Sequence, residues 1–195
     1  MFSNWNTKIQ KVALTLALVM LLSFLSGCTP LMIENPILTE NSSGTMPDLA
    51  GEYNVFLGGS IEQIVITRKN NTNNAYVLSS MDGGEAENQM FVIVAEIEGT
   101  DAILAQIETG EGDLPKAILL PMFINKDGFT VSHSISAYYL VAIILSRYNL
   151  KFDSNDIVQQ GDMTTEQFRK ALMDAFPEMI EANVFKDYQV IFQKL

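Results

Sequence analysis

One histidine and one cysteine in 195 residues leave few places for side-chain chemistry to start. His133 lies in Ser132-His133-Ser134-Ile135, and any histidine-based catalysis must use it. A serine–histidine pair fails on strand geometry, because adjacent side chains point to opposite faces and both serines turn away from the imidazole. Val131 and Ile135 flank it on its own face, so His133 reads as a core or boundary residue. Glu96 and Glu98 share one face of an expected strand, with roughly 6–7 Å between Cα atoms. Carboxylate pairs of sugar hydrolases have similar spacing, but the Gly99-Thr100-Asp101 turn beside them marks ordinary solvated acids.

No basic residue occurs between Lys69 and Lys116, where Asp82, Glu85, Glu87, Glu96, Glu98, Asp101, Glu108, Glu111 and Asp113 accumulate. Such a stretch can attract calcium or a basic partner, or be a solvated face that discourages strand-edge pairing. The second reading is preferred. Asp153-Ser154-Asn155-Asp156 begins like a calcium loop, yet Ile157 and Val158 stand where an oxygen ligand and glycine are needed. Gly110-Glu111-Gly112 lacks the lysine and hydroxyl of a phosphate-binding loop. A single histidine cannot build the usual zinc set. The expectation is no catalytic, cofactor-binding or metal-ligating residue, and no enzyme.

Cys28 carries the clearest signal. Lys8 and Lys11 precede Val12–Phe24, thirteen residues without a charge, and no acid occurs before Cys28. A basic start and an apolar run of this length form the pattern of a secretory signal, and the run falls short of the ~20 residues of a membrane span. Leu25-Ser26-Gly27-Cys28 then resembles the lipobox of bacterial lipoproteins. The resemblance covers residues 1–28 only. It implies cleavage between Gly27 and Cys28, an S-diacylglycerol on the thiol and an N-acyl chain, such as palmitate, on the new amine. Thr29, where the enterobacterial version of that family uses aspartate for inner-membrane retention, implies the outer membrane facing the periplasm. Several acyl chains give stable anchoring.

The chain thus divides into a cleaved signal (1–27), a lipidated tether (28–47) and one domain (48–195). Pro30, Pro36, Pro47 and Asn41-Ser42-Ser43-Gly44 suggest the tether, although Leu31, Met32, Ile33, Ile37 and Leu38 are greasy for a linker. Cleavage leaves ten basic against 23 acidic residues, a net charge of −13. That charge excludes nucleic acid as a partner.

Positioning elements follow from periodicity. Seven short runs (52–57, 61–68, 75–80, 89–98, 102–108, 116–124 and 129–135) are rich in Val, Ile, Phe and Tyr and separated by turn residues. Pro121 places its strand at an edge or a bulge. Residues 136–149 predict a buried helix capped by Ser136 and closed by Asn149. Thr164 to Gln167 predict a capping box opening a helix that Pro177 interrupts. Residues 187–195 alternate and can return to the sheet. The expected class is α+β: a seven-strand antiparallel meander with two C-terminal helices on one face. The expected role is partner binding or scaffolding in the envelope by a monomer or weak dimer. The alternative is a small apolar-ligand carrier with a barrel-like meander; a hydrolase ranks third.

Overall fold

Alternation gives every strand one greasy face, and here the sheet rolls until that face is inside. A computed structural model describes residues 30–40, 46–57, 59–81, 89–108, 117–133, 135–185 and 189–195. The barrel strands are β2 (Gly51–Leu57), β3 (Ser60–Arg68), β4 (Ala75–Ser80), β5 (Met90–Glu96), β6 (Ala102–Glu108), β7 (Ala117–Asn125), β8 (Gly128–Ser132) and β11 (Gln189–Lys194). From β2 to β8 each strand pairs antiparallel with the next. β11 then pairs with both β8 and β2 and closes the ring.

The α+β expectation is therefore corrected. Among the described residues the fold is mostly β, an eight-stranded closed antiparallel barrel with three extra strands and two helices. An open meander would leave the outer edges of β2 and β8 unpaired, and one strand satisfies both. Helices are not needed to cover the sheet's inner face, because the barrel's own side chains fill it. They lie outside instead, in a second apolar cluster with the outward residues Ala95, Leu104 and Leu119.

The extra strands β1 (Leu31–Ile33), β9 (Lys151–Phe152) and β10 (Ile157–Gln159) extend the sheet from β7. One edge of β7 forks. Its first half pairs with β1, Leu31 opposite Leu119, and its second half with β8, Met122 opposite Val131. Pro121 falls in the gap between those partners and is matched only on the β6 side, by Leu104. A proline is tolerated there because no ladder bond is asked of it on the forked edge.

The stretch expected as a tether is, in its described part, bound to the barrel. Leu31, Ile33, Ile37 and Leu38 are buried. Gln106, outward on β6 yet fully buried, accepts hydrogen bonds from the Ile37 and Leu38 amides (2.7 and 2.8 Å) and donates to the Leu38 carbonyl. Asn74 donates to the Thr39 carbonyl.

Helix α1 (Tyr138–Arg147) starts one residue later than a cap at Ser136 predicts. Its N-cap is Ala137 without a side-chain bond, since Ser136 is occupied by the Val184 carbonyl. Helix α2 (Thr165–Glu181) has the expected capping box at Thr164 and Gln167. It continues through Pro177, because Met179 and Ile180 beyond it pack into the outer cluster. Both helices end on an asparagine with positive φ, Asn149 and Asn183. The next amide reaches back to Leu145 or Met179 and satisfies carbonyls otherwise left open.

Candidate functional site

Inward side chains of the barrel stack in rings, and burial differs from one end to the other. At the lower end Tyr53, Ile66, Tyr76, Val94, Ile103, Met122 and Phe129 are each at most 5% exposed. Tyr53 meets Phe129 edge-on at 5.3 Å, and Phe129 stacks on Phe192 at 4.4 Å. Residues 46–50 close this end: Met46 and Leu49 join the interior cluster. The Tyr76 hydroxyl donates to the Pro47 carbonyl and the Tyr53 hydroxyl to the Leu49 carbonyl. Burial, with the nearby Asp48 charge second, raises the Tyr53 pKa and keeps that donor protonated.

Higher up, the inward residues Ile64, Leu78, Met90, Ile107, Leu120, Val190 and Phe192 are only half-buried. Registers place them on one continuous surface: Ile66 is opposite Leu78, Leu78 opposite Met90, and Val92 opposite Ile107. Below lies a filled floor, above a greasy mouth rimmed by Glu62 and Ser80. Apolar surface of this kind gains about 25 cal/mol for each Å² removed from water. Sequence reasoning found the strands but not this surface. Alternation marks which residues share a face, whereas the tilt and register that assemble rings come from pairing between strands.

The residues singled out for chemistry are scattered. Gly27, Cys28, Asp82, Glu85, Glu87, Gly110–Gly112, Asp113 and Ser134 lie outside the described residues. His133 is half-buried just past the end of β8, and burial lowers its pKa from the ordinary value. Ser132 is buried. Glu96 and Glu98 are exposed, with Thr100, Asp101 and Ile124 around an open cleft of about 470 Å³. Asp153 spends its carboxylate on its own turn, accepting from the amides of Asn155 and Ile157 and from Gln159. Among the described residues, no three His, Cys, Asp or Glu side chains are grouped to hold a metal. A second cleft, lined by Asn149, Lys151, Gln159, Gln160 and Gln167, is rich in amides. Three of them are engaged internally: Gln160 with Asn35 and Met163, Gln159 with Asp153, and Gln167 in the capping box.

Fold and site together define a small closed β-barrel with an apolar mouth at one end. No family model matches this chain, and no curated protein or solved structure is significantly similar to it.

Proposed function

We propose that this chain is an envelope lipoprotein, anchored through Cys28 at the periplasmic face of the outer membrane, whose barrel holds a small apolar ligand or acyl chain without turnover. One observation supports the binding role: the barrel interior passes from a packed floor at Tyr53, Tyr76 and Phe129 to a half-buried apolar end at Ile64, Leu78, Met90 and Ile107. The closed barrel is compatible with a carrier, and the apolar mouth supports that reading. The anchor rests on residues 1–28 alone. Titration with N-phenyl-1-naphthylamine tests the site. The wild type should give saturable fluorescence enhancement, and Leu78→Trp, which fills the mouth at a half-buried position, should abolish it. No saturable enhancement in the wild type, or an unaltered response in the variant, removes the carrier reading.

A second reading, docking of a protein partner, is favoured by a different surface. Ile191 is opposite Phe56 and Phe56 opposite Ile61, so three apolar side chains form a row across the outer wall of β11, β2 and β3. Ile61 is 62% exposed and Ile191 48%. Ile61→Lys should then prevent capture of the partner by crosslinking in intact envelopes while leaving naphthylamine binding unchanged.

A further inference from the structure

Helix α1 turns its inner side, Val141, Ile144 and Leu145, into the outer cluster. Its other side is greasy too: Tyr139 is 80% exposed, and Leu140 and Ile143 37% each. No charged residue occurs from Gly128 to Ser146, in a chain that is otherwise strongly acidic. An apolar, charge-free surface beside so many acids calls for a neutral apolar cover.

Two independent features place this surface next to the lipid-bearing end. The first is the fork on β7. Both β8 and β1 run antiparallel to β7 along the same edge, so the exit of β8 at Ser132 meets the entry of β1 at Leu31. The chain leading into α1 and the chain coming from Cys28 therefore leave the sheet at one point. The second is β10, whose Ile157 is opposite Met32 in parallel register. Asp156, one residue before it, accepts a 2.6 Å hydrogen bond from the Tyr138 hydroxyl, and Tyr138 stacks on Phe152 at 4.5 Å. The first turn of α1 is thus fastened beside the start of β1. Three peptide steps separate Leu31 from Cys28, and they span no more than about 11 Å.

We propose that the outer face of α1, Tyr139, Leu140 and Ile143, rests in the interface of the bilayer that holds the Cys28 acyl chains, fixing the barrel's orientation on the membrane. The proposal rests on the lipoprotein reading above. With so short a connection the anchor supplies the affinity, and a small apolar contact made at high effective concentration is enough to choose the orientation. Tyrosine suits this level of the bilayer, with its ring in the apolar layer and its hydroxyl near the headgroups.

The sequence supplies a clean test, because its only tryptophan, Trp5, lies in the signal segment that cleavage removes. Lipidated Tyr139→Trp protein is reconstituted into phosphatidylcholine vesicles with and without acyl-chain-brominated lipid, beside lipidated Ile61→Trp. β3 is four strands from β7 around the ring, so position 61 is on the opposite wall. Bromolipid should quench and blue-shift emission at position 139 and leave position 61 unaffected. Equal response at both positions, or none at 139 in vesicle-bound protein, overturns the proposal and leaves the anchor standing. A blue shift at 139 without bromolipid quenching overturns it as well, and assigns the face to a second copy of the chain. If mass spectrometry finds no diacylglycerol on the Cys28 peptide, the anchor and the proposal fall together.

Discussion

Gln106 shows how one side chain decides where a segment of chain lies. It sits on the outer wall of the barrel and pairs both amide groups with the Ile37–Leu38 backbone. Gln106→Leu strands those three backbone groups in a buried place and should cost roughly 3 kcal/mol or more. Loss of stability in urea, with new protease cuts after Pro36, checks it; an unchanged midpoint would contradict the pinning role. Gly128 is constrained differently, because its φ is +151° and an added Cβ would lie 1.9 Å from the Phe192 carbonyl oxygen. Gly128→Ala should destabilise by about 3 kcal/mol, from strain plus overpacking where β8 meets β11. His133 ties stability to pH. Its folded pKa lies below the ordinary 6.5, because burial opposes the imidazolium. The unfolded chain therefore binds the extra proton first, and stability present above pH 6.5 drains away as pH falls towards the folded value. His133→Phe should flatten that part of the profile, as read by denaturation midpoints between neutral and mildly acidic pH.

At the level of elements, the greasy residues before Pro47 acquire a purpose. The sequence makes Leu31–Leu38 look like a linker because Pro30, Pro36 and a polar Glu34-Asn35 pair break up any periodicity. What binds the segment is non-local: Leu119 and Val158 across the ladder, Gln106 from the barrel wall. None of these partners is visible from within the segment. Removing residues 28–47 deletes five buried apolar side chains, worth about 10 kcal/mol as an upper bound. That is as much as a whole domain's stability. Residues 48–195 alone should therefore not fold cooperatively, whereas residues 30–195 should, a contrast that circular dichroism during thermal unfolding will decide. The capping box of α2, by comparison, is local and legible, whereas the cap expected at Ser136 is taken by a non-local partner, the Val184 carbonyl. Thr164→Ala should cost about 1 kcal/mol through loss of the α2 box.

For the whole molecule, all eight barrel strands coincide with stretches that can be read from alternation and turn residues, β11 among them within residues 187–195. Closure could not be read, and the class was wrong for that reason. Local pattern says which residues form a strand, but the union of β2 with β11 joins Tyr53 to Lys194 across nearly the full fold. The site inherits the same blindness, since a mouth made of Ile64, Leu78, Met90 and Ile107 exists only once the ring does.

That same closing strand has a consequence for how the protein is made. β11 is synthesised after every other barrel strand and both helices, so the edges of β2 and β8 have no partner until it emerges. Pairings so distant in sequence form slowly. Under the export and lipidation proposed above, a chain that crosses a membrane unfolded gains from this delay. On that reading the chain would not lock into a ring before crossing, and the barrel would seal only on the far side.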